Sequence, residues 1–106
     1  MSKRKEDRKT LALDAKFKAQ HDRRDVLIAD LSRNGCRLVS GGLHLPVGQG
    51  ILLRPQGLQS LAAVVRWSMD GAIGVEFETP LHPAVVDHLC RLHPDSNAVM
   101  TLDVAA

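Results

Sequence analysis

Two groups of residues in this chain have types and spacings that can do chemistry. The first is Arg4-Lys5-Glu6-Asp7-Arg8, an R-x-x-x-R string close to the start. The second is Asp30-Leu31-Ser32-Arg33-Asn34-Gly35, a D-x-S-x-x-G string. Arginine offers a planar fork of N–H donors that pairs bidentately with phosphate. The same fork matches O6 and N7 of guanine, and its flat face stacks on a base. A carboxylate such as Asp30 can accept hydrogen bonds from N1–H and N2–H₂ of guanine, or it can hold an arginine in place. The Ser32 hydroxyl can donate to a phosphate oxygen or to a base acceptor. Gly35 permits a tight backbone path that a Cβ would obstruct. Each string also has a plainer reading. R-x-x-x-R is what a basic tail looks like, and Asp-x-Ser-x-Asn-Gly is a good hairpin turn, with Asp and Ser bonding to nearby backbone.

Charge is concentrated on the first string. Residues 1–9 carry Lys3, Arg4, Lys5, Arg8 and Lys9 against Glu6 and Asp7, a net +3 in a chain whose total is +2. The whole positive excess therefore sits on a short N-terminal arm, which suits an anionic partner. No apolar residue lies between Ser2 and Thr10 to fix the arm in place, so residues 1–9 are expected to form a flexible basic arm.

The elements that must position the second string follow from hydrophobic period. Leu11, Leu13, Ala15 and Phe17 alternate with Ala12, Asp14, Lys16 and Lys18, the mark of a half-buried strand. Gln20 to Asp22 is a polar break; Arg23 and Arg24 could widen the basic rim, and the plainer reading makes them part of a solvated turn. Val26 to Leu31 is a second strand, and Asp30 lies where it runs out. Asn34-Gly35 is a turn signal because both residues tolerate positive φ. Cys36 and Leu38 form a short third strand ending at Ser40-Gly41-Gly42. Ile51 to Arg54 is a fourth strand, stopped by Pro55 and Gly57. Leu61, Ala63, Val65 and Trp67 alternate as a fifth strand with Trp67 inward and Arg66 outward. After the Asp70-Gly71 turn, Ile73, Val75 and Phe77 make a sixth. Six short strands at close spacing predict an all-β barrel or sandwich. The period then changes. Pro83 marks a helix start, Val85, Val86, Leu89, Cys90 and Leu92 form an apolar stripe, and Pro94 ends the element. Such a helix would cap an open end of a small barrel. Residues 95–106 are expected to be a C-terminal tail.

In this order, ahead of this run of strands, the two strings resemble the signature of the PilZ domain family, whose members typically bind the bacterial second messenger cyclic di-GMP. Val64-Val65-Arg66-Trp67 and Gly71-Ala72-Ile73-Gly74-Val75-Glu76-Phe77 resemble the family's closing hairpin, and Leu81-His82-Pro83 opens a helix where the family places one. The resemblance covers about residues 3–93. It implies a six-stranded antiparallel β-barrel with one C-terminal α-helix, so that residues 10–94 form the barrel and helix. It also implies a ligand site made by Arg4, Arg8, Asp30, Ser32 and Gly35. The arm would close over cyclic di-GMP and become ordered. Lys3, Arg33 and Arg66 are additional candidates. Lys3 would add a phosphate contact and favour a stacked ligand dimer over a single molecule.

The remaining features narrow the function. At 106 residues, 44% apolar and 25% charged, the chain has the composition of one ordinary globular domain. It contains no apolar run long enough to span a bilayer, and no apolar stretch follows the basic start as a signal peptide requires. A cytoplasmic location without membrane insertion is expected. Cys36 and Cys90 read as free thiols. The five histidines show no metal-site spacing, and no G-x-S-x-G or Walker-type loop is present. Asp30 with Ser32 lacks a base and an oxyanion partner for hydrolysis. The expectation is a receptor module, not an enzyme, with no catalytic residue, no metal and no cofactor beyond its ligand, signalling to an unidentified downstream protein. A protein-interaction adaptor with the same fold but no nucleotide is the alternative. A small RNA-binding barrel is a more distant one, because aromatics are only 3% and nucleic-acid stacking platforms need them.

Overall fold

The computed structural model describes residues 9–20, 22–42 and 44–94. Arg4, Arg8 and Lys3 lie outside the described residues, as does the segment 95–106. Six strands, β1 (Lys9–Ala19), β2 (Asp22–Leu31), β3 (Gly35–Val39), β4 (Gly50–Pro55), β5 (Leu61–Met69) and β6 (Ala72–Phe77), precede one helix, α1 (Pro83–Leu92). The strands close into an antiparallel barrel in the order β1-β2-β3-β6-β5-β4. Closure gives every strand two strand neighbours.

The core follows the alternation in the sequence. Leu11, Leu13, Ala15, Phe17 and Ala19 of β1 are all buried, as are Cys36 and Leu38, Ile51 and Leu53, Ala63 and Val65, and Ile73, Val75 and Phe77. Val86 and Leu89 of α1 join this core, with Val85 and Cys90 packed partly against it. Leu92, placed in the same stripe by sequence, is the last residue of α1 and is 58% exposed instead. His82 caps the helix. Its backbone is extended and its Nδ1 accepts from the Ala84 N–H at 3.0 Å, with Pro83 in the first turn. At the other end the His93 carbonyl accepts from the Ala12 N–H at 2.9 Å, which ties the helix to β1.

The structure corrects three local expectations. Arg23 and Arg24 do not lie in a turn. They belong to β2, opposite Lys18 and Phe17 of β1, because the β1–β2 ladder continues four residues beyond the apolar run. Asn34 and Gly35 do not adopt positive φ; the left-handed hairpin turn is Asp70-Gly71, at φ 53° and 80°. Trp67 is not inward. It is 38% exposed, because β5 carries a bulge between Val65 and Trp67.

Candidate functional site

Two β-bulges build the surface around the second motif. Val26 and Ile28 of β2 face the core, so strict alternation would send Asp30 inward as well. Instead the register jumps from Ile28 opposite Leu38 to Asp30 opposite Arg37. Ala29 is the extra residue, and it turns Asp30 to the outer face and Leu31 into the core. In β5 the register jumps from Val65 opposite Val75 to Trp67 opposite Gly74, with Arg66 as the extra residue. That turns Trp67 outward. The result is a row across four adjacent strands: Asp30, Arg37, Gly74 and Trp67. At ordinary strand spacing it spans roughly 14 Å.

Each member of the row is fixed by a neighbour. Arg37 donates from Nε to Asp30 Oδ2 at 3.0 Å, with the Asp30 side chain only 16% exposed. The Trp67 indole lies over Gly74, where an added Cβ would collide with Nε1, Cε2 and Cδ1. Glycine is thus what lets the ring lie flat against the sheet. Beside it, Arg66 Nε donates to Glu76 Oε1 at 2.7 Å on the open surface. A hollow of about 300 Å³ opens here, lined by Asn34, Gly35, Arg66, Trp67, Gly74 and Glu76, among others.

The turn after Asp30 is braced from both sides. The Ser32 N–H donates to the Gly35 carbonyl at 2.9 Å. Ser32 Oγ accepts from the N–H groups of Asn34 and Gly35, each at 3.3 Å, and donates to the Gly35 carbonyl at 3.3 Å. Ser32 is only 1% exposed, so its hydroxyl holds the loop from within. Gly35 is needed for a steric reason: a Cβ there would meet the Val75 carbonyl oxygen of β6, the neighbour of β3 in the barrel. Arg33 exchanges two bonds with the segment before α1. Its carbonyl accepts from the Leu81 N–H at 2.8 Å, and its Nε donates to the Leu81 carbonyl at 3.1 Å. Phe77 N–H donates to the Asn34 carbonyl at 2.7 Å.

Of the residues expected at the site, the structure brings Asp30, Ser32, Arg33 and Gly35 into one braced corner, with Arg66 across the hollow from it. The chain enters the barrel beside this corner, with Lys9 opposite Leu31 and Thr10 opposite Asp30. Arg37 and Trp67 were missed. Arg37 was legible as the outward residue between inward Cys36 and Leu38, but the partner it meets depends on the Ala29 bulge. Trp67 carried no signal, since alternation alone puts it inside.

A family model described as the PilZ domain matches residues 2–92 of the chain. The chain belongs to the PilZ domain family. PilZ domains form a family of cyclic di-GMP-receptor-type adaptors, regulatory and binding modules rather than enzymes. Among solved structures, the fold is similar to that of the Bacillus subtilis inhibitor of motility MotI/DgrA, with a TM-score of 0.68 at 18% sequence identity over 86% of this chain. The PilZ domain described here spans about half, 51%, of that chain. No curated protein matches the sequence. Among the described residues of this PilZ domain, no group of three or more His, Cys, Asp or Glu is placed to hold a metal ion. No described helix is long and apolar enough to cross a membrane.

Proposed function

We propose that this PilZ domain is a cytoplasmic receptor for cyclic di-GMP that orders its N-terminal arm on binding and presents the new surface to a protein partner. The observation that carries this reading is the row Asp30–Arg37–Gly74–Trp67 beside a hollow at the braced turn. The row combines a carboxylate for a guanine edge, a guanidinium for phosphate and a flat ring for a base face. Ser32 and Gly35 serve by fixing the turn that borders the hollow. Arg4 and Arg8 supply the remaining phosphate and guanine contacts; the first motif ends one residue before Lys9, the residue opposite Leu31. Ordering the arm costs conformational entropy, which the charge-assisted contacts must exceed. Arg33 and Arg66 flank the site, and Lys3 adds a further positive charge on the arm.

Trp67 is the sole tryptophan, so intrinsic fluorescence reports directly on this surface. Titration with cyclic di-GMP is expected to change its emission saturably, and Asp30→Ala is expected to shift the midpoint to higher ligand concentration. Emission that is unchanged by ligand at low salt would reject placement of the nucleotide beside Trp67.

A further inference from the structure

The other end of the β1–β2 hairpin gathers charge of a different kind. Lys16 and Lys18 point outward from β1. In the barrel register Lys18 stands opposite Arg23 of β2, and Lys16 stands opposite Arg54 of β4. Like charges directly opposite on one face of a sheet destabilise it. Two such pairs therefore sit side by side on the outer face of three adjacent strands. Internal pairing offsets little of this. Lys16 reaches Asp25 at 2.8 Å, but both side chains are well exposed, and such pairs contribute little. Among the described residues, Lys18, Arg23 and Arg54 make no ion pair. Between them lies a groove of about 640 Å³, and Leu52, opposite Lys18, is 45% exposed within it.

A local charge arrangement that works against the fold fits a surface that an anionic partner neutralises. We propose that the groove formed by Lys16, Lys18, Arg23, Leu52 and Arg54 docks an acidic, extended segment of a partner protein. The occupant follows from charge and shape together. Lys16 and Lys18 are spaced by two strand residues, roughly 7 Å, which is the repeat of same-face side chains in an extended peptide. Leu52 offers an apolar contact to a residue of that peptide. A nucleic acid fits less well. Among the described residues, the only aromatic lining the groove, Phe17, is 2% exposed and gives no face for a base to stack on. Asp14 and Asp25, on the same outer face, would repel a continuous phosphate chain, whereas a peptide can place a neutral or basic residue there.

This groove lies roughly 20 Å along β2 from Asp30, apart from the nucleotide surface. The inference rests on the adaptor reading only in expecting a protein partner, and makes no use of the nucleotide. The test is fluorescence anisotropy with a labelled peptide of about ten residues alternating Glu and Val, its Gln-Val counterpart, and an oligouridylate of equal length. The Glu-Val peptide is expected to bind and to weaken with added salt, and the Gln-Val peptide to bind far less. In the double variant Lys18→Ala, Arg54→Ala, affinity for the Glu-Val peptide should fall about tenfold, while the melting temperature does not fall and cyclic di-GMP binding is unchanged. Equal affinity of wild type and variant for the peptide would overturn the proposal. So would tighter binding of oligouridylate than of peptide, which would assign the groove to nucleic acid. Failure of cyclic di-GMP to bind would leave the peptide result standing and reject only the nucleotide reading.

Discussion

The two ends of β2 treat charge in opposite ways. At the Asp30 end, polar groups are engaged with their neighbours: Asp30 with Arg37, Ser32 with the backbone of its own turn, and Arg33 with both backbone groups of Leu81. At the Arg23 end, positive side chains stand opposite positive side chains across two strand pairs. One end has internal bonding that fixes geometry. The other has repulsion that the fold must tolerate. A rigid, bonded corner suits recognition of a small ligand by shape and hydrogen bonds, since the corner itself needs no further ordering and the entropy cost of binding is confined to the arm. A basic groove that is only partly compensated by exposed ion pairs suits an exchangeable acidic partner, where steering and salt-sensitive attraction matter more than fixed geometry. The difference suggests a division of labour between two faces of one small barrel.

The comparison breaks first at Gly35. Gly35→Ala places a methyl group against the Val75 carbonyl, a backbone atom that cannot rotate away. Stability should fall by about 3 kcal/mol, read as a lower urea midpoint. A midpoint within error of wild type would mean that the corner is not tightly closed. Next is Asp30→Ala, which leaves Arg37 without its carboxylate. The cost in stability should be smaller, about 1 kcal/mol, because the Arg37 side chain is 39% exposed, while nucleotide affinity should drop about tenfold or more. At the opposite end the sign reverses. Lys18→Ala removes one member of a like-charged pair, so the urea midpoint should hold or rise, by at most about 0.5 kcal/mol, with the gain shrinking in high salt. A clear loss of stability would show that Lys18 supports the fold and would remove the contrast between the two ends.

The smallest expected effect lies on the helix. Burial pushes the Cys90 thiol above its ordinary pKa; the nearby Lys9 opposes this and Asp87 adds to it. The thiolate therefore forms only at higher pH than in a free cysteine. Alkylation of Cys90 near neutral pH should be slower than that of free cysteine and should accelerate as pH rises. Cys36, wholly buried in the barrel, should react only on unfolding.

Much of the barrel was legible in the sequence because alternation alone identifies a half-buried strand. Leu11 to Phe17, Leu61 to Val65 and Ile73 to Phe77 were all placed on the correct faces. The helix was legible through Pro83 and the Val86/Leu89 spacing. What alternation cannot reveal is an extra residue. A bulge has no marker in residue type, so the Ala29 and Arg66 bulges were invisible, and with them the outward turn of Trp67 and the meeting of Arg37 with Asp30. The need for glycine at position 35 was foreseen as an obstruction to a Cβ, but the obstructing atom belongs to Val75, forty residues away, and only barrel closure brings it there. The basic groove was hidden for the same reason. Lys18, Arg23 and Arg54 are scattered in sequence, and only the register of β1 with β2 and β4 collects them.

The proposed nucleotide site is tested most directly by calorimetric titration of the intact chain with cyclic di-GMP at low salt. The predicted result is saturable binding, whose stoichiometry gives the number of ligand molecules per chain, and clear weakening in Arg4→Ala and in Arg8→Ala. No binding to the intact chain, or binding by both variants with the affinity of the wild type, would contradict it.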